Sequence, residues 1–100
     1  MTVDLATLTK DSFDAHRGER FVMRVDEARA IELELLSTES LPTAANAKRG
    51  AFLVRFRTTE RDHVPQRIYA LEHATLGTLE LFLVPVGPDA VGMRYDAVFS

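Results

Sequence analysis

The chain has 100 residues, 46% of them hydrophobic and 27% charged, with a net charge of −3. That length holds one hydrophobic core, so a single domain over residues 1–100 is expected, and the composition excludes a disordered chain. No surplus of Lys and Arg is present to neutralise a phosphate backbone, and no cysteine to form a disulfide, a thiolate nucleophile or a cysteine-ligated zinc site.

A nucleic-acid partner is therefore not expected. No apolar run reaches the roughly 20 residues that span a bilayer, and Met1-Thr-Val-Asp-Leu5 lacks the basic and apolar regions of a secretion signal. A membrane is not expected as a partner either, and the cytoplasm is the expected location.

The first element is a short helix over 10–17, with Thr9 as N-cap, Asp11 near its positive end and Gly18 where a left-handed C-cap ends it. Leu8 and Phe13 have the spacing of a hydrophobic staple. A helix of about two turns is marginal alone, so these two side chains must pack on something larger. The period then changes to two. Phe21, Met23 and Val25 alternate with Val22, Arg24 and Asp26, and Ile31, Leu33 and Leu35 alternate with Glu32 and Glu34. These are half-buried strands joined at Glu27-Ala-Arg-Ala30 by a hairpin connection.

A third strand is predicted over 51–58, with Phe52, Val54 and Phe56 opposite Arg55 and Arg57 in sense. Pairing with the second strand would set Glu32 and Glu34 against Arg55 and Arg57. A fourth strand over 66–73 turns at Ala74-Thr-Leu-Gly77 into a fifth over 78–86, which Pro85 and Gly87-Pro-Asp89 are expected to stop. Met93, Tyr95, Ala97 and Phe99 begin the last. The longest unpatterned segment is 37–50, a length at which loops are functional or disordered.

The fold expected is mainly β with one short N-terminal helix: a six-stranded antiparallel, strongly bent sheet or small barrel capped by the helix. A two-layer α+β sandwich is the alternative.

Residues that tempt a catalytic reading carry none. Ser12 and His16 share a helix face with Asp11 or Asp14 nearby, yet no nucleophile elbow or oxyanion hole accompanies them. His16, His63 and His73 lie 47 and 10 residues apart, in no pattern that projects two metal ligands together. Asp62-His63 sits in a polar loop, as a solvated turn or a partner contact. No glycine-rich loop precedes a helix to hold a nucleotide phosphate. Glu32, Glu34, Glu72, Glu80 and Asp96 are interleaved with Arg24, Arg55, Arg57 and Arg94, which reads as ion-paired surface. No catalytic residue, metal or cofactor is expected.

One feature strains this account. If Leu79, Leu81 and Leu83 face the core, Phe82 and Val84 face the other way, joined by Leu36, Leu53 and Val98 from other strands. A monomer rarely exposes such a patch, so either the helix or a partner covers it.

The segments Pro65-Gln-Arg-Ile-Tyr-Ala-Leu-Glu-His73, Leu79-Glu-Leu-Phe-Leu-Val-Pro-Val-Gly87 and Tyr95-Asp-Ala-Val-Phe99 resemble a small bacterial family, domain of unknown function 6916. The opening Leu8-Thr-Lys-Asp-Ser-Phe13 is similar to the short helix of its members. The resemblance implies a compact β domain associated with phage-tail-collar-like proteins, and carries over no catalytic or ligand-binding residue. The function expected is a small, non-catalytic protein-interaction or assembly domain, accessory to a phage-tail-like or surface system. Its partner is itself, as a homo-oligomer, or another protein, and the contact is the face of Leu36, Leu53, Phe82, Val84 and Val98 or the 37–50 loop. The alternative is a β-barrel that binds a small molecule in its interior, although Phe21, Phe52, Phe56, Leu81 and Tyr95 are expected to fill it.

Overall fold

A computed structural model describes residues 5–42, 50–60 and 64–99. A 3-10 turn (Leu5–Thr7) and helix α1 (Lys10–Asp14) precede six strands: β1 (Arg20–Arg24), β2 (Ala30–Ser40), β3 (Phe52–Arg57), β4 (Arg67–His73), β5 (Gly77–Pro88) and β6 (Met93–Phe99). The strands pair antiparallel in the order β1-β2-β3-β6-β5-β4, and β1 pairs with β4 to close a barrel. The mainly β barrel with a capping helix is thus the fold, and the layered sandwich is not. No described helix is long and apolar enough to cross a membrane.

Alternation builds the interior. Every second residue of β1 and β3 is buried, as are Leu79, Leu81 and Leu83 in the first half of β5, and Phe21, Leu35, Val54, Phe56, Leu79 and Tyr95 have no or almost no solvent contact. A barrel of so few strands is just wide enough for side chains to fill it. Phe21 meets Phe56 edge-on with ring centroids 5.2 Å apart. Each buried Leu or Phe contributes roughly 1.5–3 kcal/mol of transfer free energy. The buried hydroxyls are satisfied: Tyr95 accepts the Val64 N–H at 3.1 Å, and Tyr69 donates to the Pro65 carbonyl.

The helix is shorter than the predicted 10–17, because after Asp14 the chain runs through turns to Gly18, whose φ of 83° confirms the left-handed stop. The Thr9 N–H donates to Ser12 Oγ at 3.0 Å, closing the first turn. Phe13 is fully buried, 6.0 Å from the Phe52 ring and 5.2 Å from Phe99, so α1 plugs one barrel end. The Thr38 hydroxyl donates to Asp14, and Lys10 pairs with the same carboxylate at 2.9 Å. Those bonds, Thr38's first, hold Asp14 below the ordinary carboxylate range and pin α1 to β2.

Two strands are longer than the sequence pattern suggested. β2 runs on to Ser40 after a register shift between Leu35 and Ser37, so residues 37–40 of the presumed loop are strand, while 43–49 lie outside the described residues. β5 continues through both prolines to Pro88. Its ladder to β6 shifts between Pro85 and Pro88, and Gly87 takes a φ of 102° there. A bulge is where a strand tolerates a residue that cannot donate to the ladder.

The bulge in β2 also changes the charge pairing. Glu34 stands opposite Arg57 and approaches it at 3.7 Å, as expected, but Arg55 stands opposite Ser37. Arg55 instead makes two bonds to Asp96 on β6, at 2.7 and 2.8 Å, and Glu32 pairs with Arg20.

Candidate functional site

Among the described residues, two places on the barrel stand out as candidate sites. The first is the end of β4, where His73 meets two residues more than 50 positions before it. His16 Nδ1 and His73 Nε2 both reach Glu19 Oε1, at 2.9 and 2.7 Å, and the two imidazole rings lie 4.6 Å apart. The spacing of the histidines gave no sign of this; the fold joins the turn after α1 to the last residue of β4. His63 and Asp62 lie outside the described residues.

Three ligand atoms within 4.8 Å of one another offer a metal-like donor set. The hydrogen bonds decide against it. His73 Nδ1 accepts the backbone N–H groups of Thr75 and Leu76, at 3.1 and 3.0 Å, which assigns the ring proton to Nε2, where it is donated to Glu19. A cation on Nε2 of a neutral imidazole would force that proton onto Nδ1, directly at two amide donors. The ring is also almost fully buried and stacks on Phe21 with centroids 4.4 Å apart. It is a latch for the 74–76 turn. Glu19 is half exposed, and the bonds from His73, then His16, hold its carboxyl below the ordinary glutamate range. Ser12 Oγ is occupied in capping α1.

The second place is the outer face of β5 and β6. Phe82 and Val98 are 51% and 63% exposed, and with Leu53, Val84, Val86 and Asp96 they line a concavity of about 370 Å³. Four of the five residues singled out for this face, Leu53, Phe82, Val84 and Val98, therefore share one surface. Leu36 does not line it; it sits half-buried at the β2 register shift. The helix does not cover the patch either, because Phe13 points it into the barrel end beside Phe52 and Phe99.

Sequence reasoning missed Ile68. It is 63% exposed and stands directly opposite Phe82 in the β4–β5 ladder. Its signal was present in β4, where Ile68 and Ala70 must face outward if Tyr69 and Leu71 face the core. Phe82, Val98 and Ile68 line a second concavity of about 330 Å³ with Leu5 and Glu80, so the apolar surface runs on across three strands.

The polar residues of this face divide sharply. Asp96, at its middle, is bound by Arg55 at two points, and burial and that bond together leave it no free charge to offer. Glu80 and Arg94, both expected in ion pairs, have none among the described residues, and Arg94 Nε is buried without a partner.

No curated protein and no solved structure matches the chain. The family model described as Domain of unknown function (DUF6916) matches residues 8–99, from the residue before the α1 cap to the end of β6, and the chain belongs to that family.

Proposed function

We propose that this domain is a non-catalytic interaction or assembly module that binds protein through the outer face of β5 and β6 around Phe82. The observation that carries the reading is the contiguous exposure of Ile68, Phe82 and Val98 on three neighbouring strands of one sheet. Exposed apolar faces of this kind mark contact sites, and an aromatic side chain at their centre is the usual energetic anchor. The interior, filled by Phe21, Phe52, Phe56 and Tyr95, favours the outside of the barrel over a ligand held within it. The hydrogen-bonded state of His73 favours a structural over a catalytic use of the histidine cluster.

The setting we propose is bacterial and cytoplasmic, as an accessory to a phage-tail-like or surface assembly. The test immobilises the domain and measures binding of itself and of purified tail-collar-like proteins. Phe82→Asp is expected to weaken binding by roughly thirtyfold, the effect of losing a central anchor. Unchanged binding by a folded Phe82→Asp variant would overturn the reading.

A further inference from the structure

We infer that the occupant of this face is a second copy of the chain, docked about a two-fold axis that pairs Glu80 of each copy with Arg94 of the other. The inference rests on the outer face being the contact surface, and adds which partner it takes and in what orientation.

The order of charges along the face fits a second copy in reversed orientation. Val84 on β5 stands opposite Asp96 on β6, and the strands are antiparallel. Outward residues of a strand recur every second position, about 7 Å apart. Glu80 therefore lies about 13 Å along β5 from the Val84 rung, and Arg94 about 7 Å beyond that rung in the opposite direction. Between them stand Phe82, Val84 and Val98, with Asp96 already neutralised by Arg55. The surface thus reads negative, apolar, positive, and its two terminal charges have no ion-pair partner among the described residues. The other arginines of the outer strand faces, Arg20, Arg24, Arg55 and Arg57, all have carboxylate partners.

Such a pattern is complementary to itself when the strand direction is reversed. A two-fold axis lying in the contact plane and running across the strands does this. It sets the apolar centre of one copy on that of the other and brings each Glu80 to the opposite Arg94, a guanidinium that lies one strand to the side and within its own reach. The contact is isologous, so one charge pair in sequence makes two in space. A two-fold axis along the strands would instead place Glu80 against Glu80.

Sedimentation equilibrium tests this with the wild type, Glu80→Arg, Arg94→Glu and the double exchange. The wild type is expected to be a dimer. Either single reversal, acting twice by symmetry, is expected to weaken it about tenfold or more, and the double exchange to return it to within about threefold of wild type. Glu80 is exposed, so Glu80→Arg remains readable even where Arg94→Glu disturbs the fold. A double exchange no tighter than the singles, or a dimer indifferent to both charges, overturns the inference. A monomeric wild type that binds another protein in a Phe82-dependent way also overturns it, while leaving the outer face as a contact surface.

Discussion

His73 and Glu19 lie 54 positions apart in sequence and meet at 2.7 Å, while the other nitrogen of the same ring accepts two backbone amides of the turn that follows. One imidazole therefore ties the end of β4 both to the residue that enters β1 and to the β4–β5 connection. Closure of the barrel depends on the β1–β4 ladder, which is short, running only from Val22 to Arg24 opposite Glu72 to Ala70.

Replacing His73 with Phe keeps the ring and its stacking on Phe21 but strands two amide donors. The loss expected is about 2–4 kcal/mol, the cost of unsatisfied buried groups. Glu19→Gln, at a half-exposed carboxylate, should cost much less. Urea unfolding of the three proteins checks the order, and a His73→Phe variant as stable as wild type would show that the latch carries no weight.

Asp89 contributes to the acid limb of stability, beside Asp14 and Glu19. Its carboxylate accepts the Gly92 N–H at 3.0 Å and the Val91 N–H at 2.8 Å and pairs with Arg57 at 3.0 Å, and these bonds, Gly92's first, hold its pKa at about 2 against an ordinary 3.8. A carboxyl whose folded pKa is depressed stabilises the fold above its unfolded pKa, and the contribution disappears as pH falls from about 4 toward 2. Thermal unfolding in that window should be steeper in pH for wild type than for Asp89→Asn. Equal slopes would assign the acid limb elsewhere.

Gly92 is fixed by space. A Cβ there would lie 2.0 Å from the Thr58 carbonyl oxygen, which belongs to backbone that cannot move aside while the Thr58 N–H donates to Met93. Gly92→Ala should destabilise by more than about 3 kcal/mol, whereas Gly87→Ala, with open space but a φ of 102°, should pay only for its backbone conformation, about 1–2 kcal/mol. Chemical denaturation of both variants separates the two causes; a harmless Gly92→Ala would contradict the close approach of β6 to the 58–60 turn.

The Arg55–Asp96 pair should couple measurably. Two parallel bonds to a carboxylate that is only 10% exposed predict about 1–3 kcal/mol in a double-mutant cycle. Arg20 and Glu32, both more than two-thirds exposed, should give under about 1 kcal/mol. Equal coupling energies would remove burial as the deciding factor.

Local pattern carried much of this fold. The alternation of Phe21 and Met23, of Ile31 to Leu35 and of Leu79 to Leu83 marked the strands, and Leu8, Thr9 and Gly18 marked the helix, because those signals act between near neighbours. What pattern did not carry is non-local. The β2 register shift that takes Arg55 from glutamate to Asp96, the passage of β5 through Pro85 and Pro88, and the meeting of His16 with His73 are set by which strands lie side by side. The outer face was legible as far as single strands allow: Phe82 and Val84 stood out against Leu81 and Leu83. Ile68 joined them through the alternation of β4 and its register with β5, and the lone charges of Glu80 and Arg94 only once the other arginines of the outer strand faces, Arg20, Arg24, Arg55 and Arg57, had found their carboxylates.

The central claim is that the domain makes its contacts through the outer face around Phe82. Methyl NMR spectra of the wild type, followed from micromolar to millimolar concentration and again with a bound protein, test it most directly. The account predicts shifts concentrated at Ile68, Leu53, Val84 and Val98, and their loss in Phe82→Asp. Shifts confined to methyl groups away from this face, or no shift in either series, would contradict it.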